Sequence, residues 1–502
     1  MNPSSLVPFP PLIYLFAGIF IPLVTLRWRR LAGWLALTAT TAAAFFSVIN
    51  LLQVLKQGII PYRFGGWIPP IGIEYILDPL SGFVITVINL IALGVIVHAH
   101  QSVKAEIKES RWPPYYALVM LFLTGANGII MTGDFFNLYV FLEIGSLSLY
   151  GLIAVGEKKS PVAAFRYLVM GTVGGGFYLL GVGFLYLVTG SLNMGDVRNI
   201  LPHLQVTAPL VVALTLMLIG LGIKMAVFPL HGWLPDAYTY APSPTSAIMA
   251  PIGTKIGAYA IARIFFFIFG IRLITQIVPI AQVLAWLSAV GIIYGSVLAM
   301  AQNEIKRMLA YSSVAQVGYI GLGLGLANSF GFIGALLHIM NHGLMKACLF
   351  LVAGNFRLKL GHSRIDRLDD SLRRSMPWSA AAFTLAALAM IGVPPTVGFF
   401  SKWYLALGTI ASRNWLFLAI ILLSSLLNAV YFFRVIERMY FPWRGSSQKR
   451  TLSSPAPKNE SQEVSLGLLL PTLIFALALI VVGFLNVWLV KTILTKALPA
   501  GF

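Results

Sequence analysis

Apolar residues come in long blocks along almost the whole chain, separated by short polar or proline-marked stretches. The blocks fall near residues 6–26, 31–54, 79–100, 114–132, 135–155, 162–189, 208–239, 243–270, 279–301, 307–326, 330–354, 378–408, 414–440 and 465–492. Many approach the ~20 residues that a helix needs to cross a bilayer core. The pattern predicts an all-α polytopic membrane protein with about fourteen transmembrane helices. Two blocks stand out for interior proline, the seventh at Pro229 and the twelfth at Pro394 and Pro395. Proline removes a backbone donor and frees carbonyls, and in lipid those groups must be satisfied by neighbours or by a wet cavity. Helices 7 and 12 are therefore expected to be broken. Their recurrence about five blocks apart hints at two five-helix repeats, helices 4–8 and 9–13, inverted in the membrane.

The polar stretches complete the organisation. Residues 56–78 hold Gly65, Gly66, Pro69, Pro70 and Gly72 and read as an outside β-hairpin or loop. Residues 443–463 are rich in Ser, Lys and Pro and read as a flexible cytoplasmic linker. The expected division is 1–113 for helices 1–3 with the hairpin, 114–270 for the first repeat and 279–440 for the second. Residues 441–464 form the linker, and 465–502 the last helix and C-terminus.

Composition excludes a soluble reading. Of 502 residues, 58% are hydrophobic and only 10% are charged, too few to build the polar surface of soluble domains. The net charge of +19 would suit nucleic acid, but the basic residues are dispersed between apolar blocks, which argues against it. They follow the positive-inside pattern instead: Arg27/Arg29/Arg30, Lys104/Lys108/Arg111, Lys158/Lys159, Lys306/Arg307, Arg357 to Arg374 and Arg434 to Lys458 alternate with poorer loops. The loop around Asp236 is an exception. This alternation places both termini outside. Charge after the first apolar run also suits a retained first helix better than a cleaved leader. The single cysteine, Cys348, leaves no disulfide framework or Cys-ligated cluster and reads as a small packing residue.

Several ionisable residues sit where a bilayer makes them costly. They are Glu143 in the fifth block, Lys224 in the seventh, Lys255 in the eighth, His338, His342 and Lys346 in the eleventh, and Lys402 just past the second proline break. Lysines near helix ends can snorkel, and an ion pair can simply join two helices. One acid cannot neutralise so many bases, however. A lysine suspended between burial, which disfavours its charge, and a carboxylate, which favours it, can take up and release a proton. His338 and His342 could relay, although a buried histidine satisfied by a helix carbonyl reads equally well. They also lie four apart on one helix face, a metal-ligand spacing, but no acid or thiolate is near in sequence, so no metal is expected. No phosphate-binding loop, dinucleotide fingerprint or HExxH segment is present, so no cofactor is expected. Gly174–Gly176 sit inside a block and read as a close-packing surface.

These residues lie in stretches that resemble the antiporter-like subunits shared by Mrp-type cation/proton antiporters, respiratory complex I and membrane-bound hydrogenases. The matching segments are Thr132 to Asn137 and on through Glu143 to Tyr150, Lys224 through Pro229, His231, Pro235 and Asp236, and Pro242–Pro244 through Lys255 to Gly257. Further on they are Lys306 to Ser313, His338 through His342 to Lys346, and Gly392 through Pro394–Pro395 to Lys402. The resemblance implies fourteen helices with inverted five-helix repeats. It implies that Glu143 pairs with Lys224, that Lys255 is the central relay, that His338 links the halves and that Lys402 is the exit group. His342, Lys346, His231 and Asp236 are secondary candidates. Thr132 to Asn137, Leu192–Asn193 and Gln316 lean towards the Mrp D-type component, whereas His231 and Asp236 look more like complex I and hydrogenase relatives. Arg166 stands where relatives often show lysine.

The expected function is proton translocation within a multisubunit Mrp-type Na⁺/H⁺ antiporter of a prokaryotic cell (inner) membrane. Its partners would be other membrane subunits and the lipid bilayer, and its transported ions protons and Na⁺. The alternative is a proton-pumping subunit of a complex I-like or hydrogenase redox complex, in which the redox centres belong to partners. Either way the chain is a transporter subunit rather than an enzyme alone. A structural scaffold is the third reading, with its charges acting only as helix glue.

Overall fold

The computed structural model describes residues 3–441 and 463–502, so the expected linker at 443–463 lies almost entirely outside the described residues. The chain opens with α1 (Phe9–Val24), α2 (Leu31–Gln57), α3 (Pro79–Glu106), α4 (Trp112–Met131), α5 (Phe135–Ala154) and α6 (Ser160–Thr189). A short α7 (Met194–Ile200) precedes α8 (Ala208–Met225), α9 (Leu234–Tyr240) and α10 (Ser243–Ile261). Then follow α11 (Ile280–Met300), α12 (Ile305–Gly325), α13 (Ser329–Leu360), α14 (Ser371–Ser375), α15 (Pro377–Ile391) and α16 (Val397–Ala411). The last are α17 (Trp415–Tyr440), α18 (Leu466–Phe484) and α19 (Asn486–Thr492). The expected hairpin is present: β1 (Ile60–Arg63) pairs antiparallel with β2 (Glu74–Leu77), with Ile60 opposite Leu77 and Arg63 opposite Glu74.

Every predicted block is occupied by helix, and the architecture is the expected all-α membrane fold. Among the described residues, eleven helices are long and apolar enough to cross a membrane. The first, tenth and twelfth blocks fall outside that set, so the count of fourteen is not reached on length and hydropathy alone. The first block is a 16-residue helix. The tenth carries Lys306, Arg307, Ser312, Ser313 and Gln316 on α12. The twelfth is split into two 15-residue pieces, α15 and α16.

Both expected breaks occur. α8 ends at Met225, and Ala226 behind it is left-handed (φ 63°). α15 ends at Ile391, and Gly392 behind it is also left-handed (φ 94°). That conformation is the usual way to stop a helix, and it is unusual for an alanine. Interior proline is more widespread than the sequence reading allowed, because Pro251 sits inside an uninterrupted α10. α10 then continues as a π-helix over Ala262–Phe269.

Helix starts follow local chemistry. Asp78 caps α3 by accepting from the Ser81 amide at 2.8 Å, while the Ser81 hydroxyl accepts from the Asp78 amide at 2.8 Å. This reciprocal arrangement satisfies otherwise orphaned donors. Asp134 and Asn328 cap α5 and α13 through the Asn137 and Gly331 amides. α13 and α10 run through the middle of the bundle: 94% of the most apolar stretch of α13 and 89% of that in α10 is buried, against 33% for α2 and α17. The helices bearing Lys255, His338, His342 and Lys346 are thus surrounded by protein rather than lipid.

Candidate functional site

Both breaks present a lysine at the end of a helix. Lys224 lies in the last turn of α8, where the helix dipole favours a cation. Its ammonium donates to the Ser146 hydroxyl at 2.7 Å and stands 3.7 Å from Oε1 of Glu143, so the two charges pair without a hydrogen bond. That Glu143 oxygen is buried with no hydrogen-bond partner. Trp233, beyond the break, donates from Nε1 to the Ile223 carbonyl at 2.8 Å and satisfies part of the severed end of α8. In the second break the lysine itself does this work. Lys402 donates to the Met390 and Ile391 carbonyls at 3.0 and 2.9 Å and to the Ser425 hydroxyl at 3.1 Å, and its Nζ lies 5.1 Å from the centre of the Tyr319 ring.

Between the breaks lie Lys255 and the α13 residues. Lys255 is 1% exposed and donates to the Ala250 carbonyl at 2.7 Å. Lys346 is fully buried and donates to the Leu309 carbonyl at 2.7 Å and to the Ser312 hydroxyl. Among the described residues, no carboxylate lies within ion-pairing distance of Lys255, Lys346 or Lys402, in contrast to Lys224. His338 is held at both ring nitrogens, by Ser401 Oγ at 2.9 Å and Gln316 Oε1 at 2.9 Å. Its ring stacks on His342 with centroids 5.8 Å apart and planes 16° from parallel. Both nitrogens of His342 are buried without a partner, and Lys346 follows it by four residues, one turn further along α13.

Close backbone approaches set these positions. Gly175 on α6 faces the Glu143 carboxylate, and Gly257 on α10 lies against the Lys224–Met225 backbone. The Gly174–Gly176 run therefore does more than pack helices. A cavity of about 40 Å³ touches Ser146, Tyr167, Lys224, Gly253, Ile256 and Gly257, next to the turn that carries Lys255. Its volume is enough for a small number of waters.

The other candidates lie elsewhere. His231 sits in the first break, its ring 5.6 Å from Phe228 and 5.1 Å from Tyr294. Asp236 on α9 is clamped by Arg166 at 2.5 Å and Arg307 at 3.1 Å. That contact explains the loop that broke the basic pattern and gives Arg166 a partner.

Buried charges that the sequence does not flag include Lys306 and Asp78, which read as loop residues, and Arg263, inside an apolar block. Lys306 is 1% exposed and donates to the Ala241 carbonyl at 2.6 Å. Arg263 grips Asp78 through two hydrogen bonds of 2.6 and 2.7 Å and also contacts the Tyr259 hydroxyl. Arg263 lies eight residues past Lys255 in an apolar block, a signal that was available.

The family described as NADH:quinone oxidoreductase/Mrp antiporter, TM, matches residues 132–429, more than half of the chain. The chain belongs to this family. That matched region contains Glu143, Lys224, Lys255, His338, His342, Lys346 and Lys402. Among relatives, the N-type subunit of an NADH-quinone oxidoreductase from Desulforudis audaxviator is 43% identical over 97% of this chain and 98% of that protein. The D-type component of a Na(+)/H(+) antiporter from Bacillus subtilis is 30% identical over 97% of this chain and 95% of that protein. A chain of the membrane-bound sulfane sulfur reductase, an archaeal respiratory membrane complex, matches with a TM-score of 0.86 and 29% identity over 98% of this chain and 96% of that one. A chain of the Mrp complex of Dietzia sp. DQ12-45-1b shares the fold with a TM-score of 0.87 at 24% identity, covering 99% of this chain and 97% of that one. This member of the Mrp antiporter and oxidoreductase family is a multi-pass, antiporter-like membrane subunit.

Proposed function

We propose that this chain is the proton-translocating subunit of a multisubunit Mrp-type Na⁺/H⁺ antiporter in a prokaryotic cell membrane, with both termini outside. Other membrane subunits are its partners, as in the assemblies that contain its relatives. The observation that carries the reading is one charge pair, Glu143 and Lys224 at 3.7 Å, followed by buried lysines without carboxylate partners. Protons pass between Lys224 and Lys255 by way of the intervening cavity, reach His342 and His338 on α13, and leave by Lys402. Lys346, His231 and Asp236 are secondary groups. The pair at Glu143 gates the first transfer, because moving the carboxylate towards or away from Lys224 changes how firmly that lysine holds its proton.

The test is Glu143→Gln, which removes the charge at nearly constant volume. Proton transport in everted membrane vesicles is expected to collapse while the assembled complex stays at normal abundance. Unchanged transport at normal abundance would remove Glu143 from the mechanism.

A second reading has its own observation. The 43% identity to an N-type oxidoreductase subunit favours the same proton path driven by electron transfer in partner subunits. Purification from native membranes in mild detergent separates the two. Small membrane subunits without redox proteins support the antiporter, and cluster- or nickel-bearing partners support the redox-driven pump.

A further inference from the structure

α12 makes a polar contact at nearly every turn from its first residue to the middle of the fold. Lys306 stands at its start, the Leu309 carbonyl and Ser312 hydroxyl hold Lys346, Gln316 holds His338, and Tyr319 lies beneath Lys402. One turn of helix, about 5 Å, separates Lys306 from the first anchor of Lys346. Around Lys306 lies a second cluster of charge, remote from Glu143. Glu106, at the end of α3, accepts from the Ser243 amide at 2.9 Å through Oε2, while its Oε1 is buried without a partner. Ser243, whose amide Glu106 accepts from, lies two residues past Ala241, whose carbonyl Lys306 holds, so the carboxylate and the ammonium are anchored to neighbouring backbone groups. His98 is itself buried, bonded to Asn355 at 3.0 Å through Nε2 and unpartnered at Nδ1.

A pocket of about 400 Å³ adjoins this cluster at Glu304 and Arg357. The pocket is lined by Lys158, Lys159, Tyr240, Glu304, Arg357 and Arg364 among others. Tyr240 adjoins the Ala241 carbonyl that Lys306 holds, and Glu304 precedes Lys306 by two residues. A carboxylate with a free oxygen and a buried lysine thus hold backbone groups two residues apart, beside a surface pocket, and the lysine is one helical turn from the Leu309 carbonyl that holds Lys346.

We propose that Glu106 and Lys306 form a proton inlet, through which Lys346 exchanges protons with the aqueous phase on the basic face of the protein. The proposal rests on the proton-translocating reading above. Protons arriving in the pocket are taken by Glu106, pass to Lys306 and move along α12 to Lys346, which lies one helical turn from His342 on α13.

Both residues also hold backbone groups, so the substitutions must spare that role. Glu106→Gln keeps an acceptor for the Ser243 amide, and Lys306→Gln keeps a donor for the Ala241 carbonyl. Lys306→Arg keeps both charge and donor but cannot release a proton. The measurement is proton transport against pH in everted vesicles containing the complete complex, with assembled complex quantified. All three variants are expected to assemble and to lose at least about tenfold of transport at alkaline pH, a barrier change of about 1.4 kcal/mol. Glu106→Gln should recover part of the loss as protons become abundant. Wild-type transport and pH profile in Lys306→Arg and Glu106→Gln, with Glu143→Gln inactive in the same vesicles, would overturn the inlet and leave the wider reading intact. Failure of both to assemble would assign the pair to holding the α10 end and equally overturn it. Wild-type transport in Glu143→Gln as well would strike the wider reading and the inlet with it.

Discussion

A methyl group on Gly175 would lie 2.2 Å from Oε1 of Glu143. The absence of a side chain on α6 is thus what lets the carboxylate lie beside Lys224. Gly175→Ala should fold, because the obstructing atom is the end of a flexible side chain. It should displace the carboxylate and change the 3.7 Å separation from Lys224. Transport is expected to fall by about tenfold, or about 1.4 kcal/mol in barrier, with normal abundance of the complex. Vesicle proton-transport assays on Gly175→Ala check this.

Gly257 presents the opposite case. A Cβ there would meet the Met225 amide nitrogen at 2.6 Å and the Lys224 carbonyl carbon at 3.0 Å. Backbone cannot step aside, so α10 must move away from the broken end of α8. Gly257→Ala should therefore lower stability by about 1–3 kcal/mol, the usual range for overpacking. The check is a thermal melt of the detergent-solubilised protein, which should shift clearly downward, and unchanged melting would contradict the close approach.

Gln316 is the partner of His338 Nε2 at 2.9 Å. Gln316→Leu leaves that nitrogen buried and unpartnered, at a cost of about 1–3 kcal/mol. Transport should fall with it. Gln316→His restores a ring nitrogen as partner and should retain most of the activity. Equal activity in the leucine and histidine variants would show that the contact is dispensable.

The bidentate contact of Arg263 with Asp78 ties the start of α3 to α10. Removing one partner strands the other, so Arg263→Ala should cost about 3–5 kcal/mol, and adding Asp78→Asn should recover part of it. The pair also carries a pH dependence. Burial alone would raise the Asp78 carboxyl, but Arg263 and the Ser81 hydrogen bonds hold it below the usual range. A carboxyl depressed in the folded state contributes stability above its unfolded pKa of about 3.9 and loses it as pH falls through the folded value. Stability should therefore decline in acid more steeply for the wild type than for Asp78→Asn, as read from melting curves between neutral pH and about pH 3.

Some features were legible because they are local. Apolar blocks long enough to span a bilayer, prolines at 229 and 394–395, and the turn residues of 56–78 each act within a few residues, so their structural consequences follow from the order of amino acids. Glu143, Lys224, Lys255, His338 and Lys402 were legible for a different reason. Charge in an apolar block is so costly that its presence alone marks it out.

What the linear order could not decide is which charges meet. Asp78 and Lys306 sit at block edges and read as loop residues, yet α3 and α12 carry them into the protein, where Arg263 and the Ala241 carbonyl hold them. Asp236 looked like an acid in the wrong loop until Arg166 and Arg307 converged on it from two other helices. Glycine leaves no trace of its purpose in sequence, and only the neighbour across the gap shows that Gly175 makes room for a carboxylate and Gly257 for a helix end. Periodicity, hydropathy and proline act along the chain and so determined the helices. Ion pairs, close approaches and the water-sized cavity depend on residues far apart in sequence, and only the packing of α3, α5, α6, α8, α10, α12 and α13 decided them.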